Sequence, residues 1–72
     1  MNEIPQGWQR STGGGIYRYH NYYDLTVNEH TDDNGKKYWT FRCVRGWKDC
    51  DSGLRDSQEL AIKAAMDYAN NK

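Results

Sequence analysis

The stretch from Tyr38 to Asp56 folds back on itself with almost every residue meeting a sensible opposite, and this self-complementarity limits the possible folds most. A two-residue loop at Gly46-Trp47, with glycine at the first central position as a II′ turn requires, sets the register. Arg45 then faces Lys48, Cys43 faces Cys50, Arg42 faces Asp51, Trp39 faces Leu54 and Lys37 faces Asp56. One like-charge pair at the tip is outweighed by two opposite-charge pairs, an apolar pair and a thiol pair.

Upstream, Tyr23, Leu25 and Val27 alternate with Asp24, Thr26 and Asn28, the period of a half-buried strand spanning about residues 22–31. The Asp33-Asn34-Gly35 connection admits two loops. A two-residue Asn-Gly turn would put Leu25 and Val27 on the face opposite Trp39 and Phe41. A three-residue loop, with Gly35 left-handed in a bulge, pairs Val27 with Phe41 and Leu25 with Cys43. A slip of one residue reverses every side chain, so the apolar pattern selects the three-residue loop. The third strand, Lys48 to Arg55, is polar and contains Gly53, which suits an edge blunted by Asp49 and Asp51.

Asp56 is the expected helix cap, with Glu59 as its capping-box partner. On the helix that follows, Ala61, Ala64, Ala65, Tyr68 and Ala69 centre one face. Leu60 flanks it on one side, Ile62 and Met66 on the other, and Lys63, Asp67 and Asn70 lie opposite. Small residues at that centre let a helix approach a sheet closely, with Trp39 and Phe41 filling from below. The expected fold is α+β: a three-stranded antiparallel β-meander with one C-terminal helix on one face. Residues 16–72 form this domain and residues 1–15 a flexible arm. Pro5, Gly7 and Gly13-Gly14-Gly15 discourage regular structure there unless Trp8 docks. Ile16 to Tyr19 reads as a short extended piece.

At 72 residues the chain is one domain, near the size where a single core only just outweighs chain entropy. Ten basic residues balance ten acidic ones, which removes the usual electrostatic argument for nonspecific nucleic-acid binding. No apolar run is long enough to span a bilayer, and the amino terminus lacks the pattern of a signal peptide, so the cytoplasm is the expected location.

Chemistry-bearing residues are sparse. Cys43 and Cys50 read as free thiols in preference to a bridge, because strand-opposite Cβ atoms sit wider than a relaxed disulfide prefers. His20, His30 and the two cysteines lack the paired spacing of zinc sites. Asp32-Asp33 belongs to a turn, and Arg42 keeps Asp49 and Asp51 ionised. The glycine run lacks the Lys-Ser/Thr of a phosphate loop and reads as a joint. No catalytic, metal or cofactor site is expected.

Three tryptophans and six tyrosines are more than so small a core absorbs, which turns attention to the uncovered sheet face. That face is expected to display Thr26, Asn28, His30, Tyr38, Thr40 and Arg42, with Arg55 beside Tyr38. Tyr17, Arg18, Tyr19 and Tyr22 extend it, and Trp47 stands at the hairpin tip. Tyr and Arg recur at binding hot spots. A protein-partner surface of Tyr17, Tyr19, Tyr22, Tyr38, Arg42, Trp47 and Arg55 is therefore expected. The chain then reads as a small non-enzymatic protein-binding module, monomer or weak homodimer, docking on a larger protein or complex. Its size and lack of catalytic equipment suit an accessory inhibitor or regulator of the kind phages and mobile elements carry.

The order of elements over Tyr22 to Asn70, with the Gly35-to-Trp39 and Leu54-to-Ala65 patterning, resembles two groups of DNA readers. These are the arm-binding domains of some tyrosine recombinases and the DNA-binding domain of plant ethylene-response factors. The resemblance implies a sheet laid in the major groove, contacting DNA through Arg18, Asn28, Thr40, Arg42, Arg45 and Lys48. It departs from those readers in placing Asp24, Asp49 and Asp51 where they present Arg or Lys, and each carboxylate would repel phosphates.

Overall fold

A computed structural model describes residues 4–11 and 13–71. Five strands precede one helix: β1 (Gln9–Arg10), β2 (Ile16–His20), β3 (Tyr23–Thr31), β4 (Lys37–Arg45), β5 (Lys48–Arg55) and α1 (Gln58–Asn70). They form one antiparallel meander in the order β1-β2-β3-β4-β5. The α+β class and the C-terminal helix are as the sequence implies, but the sheet has five strands where three were expected.

Of the two additional strands, β2 is the short extended piece that begins at Ile16, and β1 comes from the lead-in. Trp8 is only 6% exposed and joins the core beside Ile16, so the segment packs against the sheet instead of hanging from it. Gly13 to Gly15 belong to the turn between β1 and β2, where the Ser11 N–H donates to the Gly15 carbonyl and the Gly14 N–H to Ser11. One large ring can seat a glycine-rich segment whose backbone has little preference of its own, because a buried aromatic removes so much apolar area from water.

The β3–β4 hairpin has the three-residue loop selected above. Leu25 pairs with Cys43 and Val27 with Phe41, and Gly35 sits at φ 84°. Asp32 shapes this turn: its Oδ1 accepts from the N–H groups of Asn34 and Lys36, both at 2.9 Å. The inward residues of both strands meet Ala61, Ala65 and Ala69 of α1, all fully buried. The alanine seam brings helix and sheet close enough for the Cys43 thiol to face the Ala65 carbonyl at 3.8 Å. Leu60, at the flank, stays exposed.

The β4–β5 hairpin begins in the expected register and then departs from it. Gly46 has φ 64°, Trp47 has no positive φ, and Arg45 faces Lys48. Val44 then pairs with Asp49, but a bulge at Cys50 moves Asp51 opposite Cys43. From there Ser52 faces Arg42, Leu54 faces Thr40 and Arg55 faces Trp39. The Cys43–Cys50, Arg42–Asp51 and Trp39–Leu54 pairs are thus replaced, and both cysteines are free. Gly53 accounts for the shift: it lies opposite Phe41, and a Cβ there would come within 2.8 Å of the ring. Glycine in that rung lets Phe41 lie across β5, and Arg55 closes over the ring at 5.2 Å.

The helix starts one residue later than the capping box implies. Ser57, not Asp56, is the N-cap: it is extended at φ −145°, ψ 157°, and its Oγ accepts from the Leu60 N–H at 3.1 Å. Glu59 still lies in the first turn, where a carboxylate suits the helix dipole.

Trp8→Ala should cost about 3 kcal/mol, the range for removing a buried ring, in urea unfolding; an unchanged midpoint would show the lead-in to be unpacked. Ser57→Ala should lose about 1 kcal/mol and Asp56→Ala less than about 0.5 kcal/mol in the same assay.

Candidate functional site: the open sheet face

Alternation in a pleated sheet sends Thr26, Asn28 and His30 of β3 and Tyr38, Thr40 and Arg42 of β4 away from the helix, and the register sets them side by side. Tyr17 faces Thr26 and Tyr19 faces Asp24, so β2 extends this face with two tyrosines. Gln9 of β1 holds the first of them, accepting from the Tyr17 hydroxyl at 2.9 Å. After the bulge, Ser52 and Leu54 of β5 complete the surface. No element of the described chain covers it. A shallow depression of about 530 Å³ runs across the middle, floored by Thr26, Asn28, His30, Thr40, Arg42 and Ser52.

The side chains here are held before any partner arrives. His30 shares a hydrogen bond with the Thr40 hydroxyl at 3.0 Å, and its ring stacks on Tyr38 with centroids 5.2 Å apart and planes within 16°. Arg42 reaches diagonally to Asp49 as a two-pronged pair, Nε to Oδ1 at 3.0 Å and Nη2 to Oδ2 at 2.7 Å. This bond and the opposing charge raise the arginine pKa and hold the aspartate below the usual carboxylate range. Arg42 thus has Asp49 as its acidic neighbour, where the sequence suggested Asp51. The rung between Val44 and Asp49 sets this diagonal, and the bulge that follows removes Asp51 from its place opposite Arg42.

Other expected contacts lie elsewhere. Arg55 pairs with Trp39 and lies over Phe41, on the helix-bearing face, not beside Tyr38. Arg18 pairs with Leu25 on that same side and runs along Gly7. Arg45 stacks over Tyr23 at 4.5 Å, with Lys48 opposite it. The six residues suggested for DNA therefore divide between two faces: Asn28, Thr40 and Arg42 outward, Arg18, Arg45 and Lys48 on the helix side. Trp8 is buried and is no second contact. Tyr22 and Trp47 sit in turns beyond the ends of the strands.

The histidines are far apart in role. His20 bonds to the Asn70 Oδ1 at 2.8 Å beside the helix C-terminus, while His30 belongs to the outer face. Among the described residues no three of His, Cys, Asp and Glu converge as metal ligands would. No described helix is long and apolar enough to cross a membrane. A second depression, of about 260 Å³, lies on the helix side between Ile4, Arg10, Ile16, Trp39 and Gln58, next to the 3.1 Å Lys37–Glu29 pair. No family model matches the sequence, and neither the curated proteins nor the solved structures yield a match.

Burial, with help from Asp51 and Cys50, pushes the Cys43 thiol up to about 11. Because the folded state holds that proton more tightly than the unfolded chain does, its stabilising share is complete below the ordinary thiol pKa. It is lost as pH rises toward about 11. Native protein at pH 8 should therefore expose one reactive thiol, Cys50, to a disulfide reagent, with Cys43 reacting only on unfolding. In an NMR titration Asp49 should protonate below the ordinary carboxylate range, and Arg42→Ala should return it there.

Proposed function

We propose that this chain is a non-enzymatic protein-binding module, an accessory inhibitor or regulator that docks on a larger protein through its open sheet face. The observation that carries this reading is the charge state of that face. Among the described strand residues of that face the one cation, Arg42, is already neutralised by Asp49, while Tyr17, Tyr19 and Tyr38 supply apolar area edged with hydroxyls. Such a surface complements the mixed polar and apolar surface of another protein, and Tyr and Arg give the most contact energy there. Holding Arg42 and His30 in place beforehand reduces the ordering cost of association.

A duplex needs the reverse: unneutralised cations on one face, each displacing a counterion from phosphate. The division of the basic residues between two faces, with Asp24 on the outer one, weighs against sheet-mediated DNA binding.

The decisive measurement is calorimetric titration of a partner recovered from native extract. Tyr38→Ala and Tyr19→Ala should each weaken binding about tenfold or more, as hot-spot truncations do, with the circular-dichroism spectrum unchanged. Raising salt from about 50 to 200 mM should alter affinity only slightly, whereas a reader of 6–10 phosphates would lose about 10³–10⁵. A steep salt slope with duplex DNA would replace the proposal.

A further inference from the structure

The meander brings the β2–β3 and β4–β5 turns to one end of the molecule, since Tyr23 opens β3 and Arg45 closes β4 beside it. Each turn has two residues and carries a large ring into solvent: Tyr22 is 71% exposed and Trp47 is 98% exposed. Local structure explains neither. The β2–β3 turn has positive φ at both positions, 55° at Asn21 and 70° at Tyr22, as a I′ turn demands. Asparagine suits the first position, and glycine is the favoured residue at the second. A bulky aromatic with φ above zero is an outlier, and such strain persists mostly where it serves a function.

The turn is also clamped. Asn21 Nδ2 donates to the Ala69 carbonyl, and His20 bonds to Asn70, so the last turn of α1 holds the strained corner. Beside the rings, Arg45 faces Lys48 across the ladder, a like-charge rung that costs stability. Neither cation has an ion-pair partner among the described residues. Asp24 projects to the opposite face, so the positive charge lies on the helix side of the tip.

We infer that Tyr22 and Trp47 form a rigid two-ring anchor that enters an apolar cleft of the partner protein, rimmed by carboxylates facing Arg45 and Lys48. The inference deepens the protein-binding reading and rests on it. Three local costs (the left-handed tyrosine, the fully exposed indole and the like-charge rung) coincide at one end. A partner of that chemistry would bury both rings and pair both charges, offsetting the backbone strain that the turn retains.

The test begins without a partner. Tyr22→Gly makes an Asn-Gly turn and should raise Tm by about 4–8 °C, the shift that relief of such strain gives in a domain this size; an unchanged or lower Tm removes the premise of strain. The partner recovered for the sheet-face titration is then added to both variants. Tyr22→Gly and Trp47→Ala should each weaken it at least tenfold, Lys48→Glu should do likewise, and Trp47 emission should shift to the blue on binding. If these variants bind like wild type while Tyr38→Ala is impaired, the anchor is wrong and the sheet-face reading stands. If neither set is impaired, or no partner is recovered, both fall. A blue shift with phosphatidylcholine–phosphatidylserine vesicles but not with the protein partner would place the rings in a bilayer interface and overturn the inference.

Discussion

Ala61, Ala65 and Ala69 share one core cluster with Leu25, Val27 and Cys43, and all six are essentially inaccessible to water. With only methyl groups at the centre of the helix side, α1 lies close to the sheet, and the larger residues of β3 and β4, with Ile62, Met66 and Tyr68 at the flanks, fill the layer between them. Burial of a leucine or valine side chain contributes about 1.5–3 kcal/mol, a large share of the stability of so small a domain. That contact fixes which face of every strand is covered. It thereby also fixes which face remains open, with Thr26, Asn28, His30, Tyr38, Thr40 and Arg42 upon it.

The periphery is arranged by individual side chains. Trp8 pins the lead-in, whose strand β1 has a ladder of only two rungs. Phe41 requires a residue without Cβ opposite it, and Gly53 supplies one at the expense of a bulge at Cys50. The bulge has an electrostatic consequence. It leaves Asp49 on the outer face, diagonal to Arg42, and sends Asp51 and Arg55 to the helix side. The charge balance of the open face, on which the functional reading depends, thus follows from a packing requirement on the other side of the sheet.

Two kinds of surface result. The sheet face is internally satisfied, with its histidine, arginine and first tyrosine all bonded to neighbours. The tip at Tyr22 and Trp47 is the reverse, with two rings in solvent and two cations that have no ion-pair partner among the described residues. Neither surface could be recognised by residue type alone, because tyrosine also serves the core: Tyr23 is buried edge-to-face against Tyr68 at 5.6 Å.

The apolar alternation of 23–27 and 39–43, together with the left-handed demand of Gly35, determined the central hairpin and its inward face. A one-residue error would have exposed that whole apolar row, so local pattern and global packing gave the same answer there. The alanine periodicity likewise determined the helix and its buried side. Only tertiary structure decided the rest. Trp8 has no local preference to dock and does so because a distant surface accepts it. The shift in β5 depends on the contact between Phe41 and Gly53 across the ladder. The Tyr22 turn is masked because tyrosine opposes the conformation that the clamp between Asn21 and Ala69 imposes. Patterns whose cost is paid within one element can be read from the chain; contacts that join elements exist only once the elements have met.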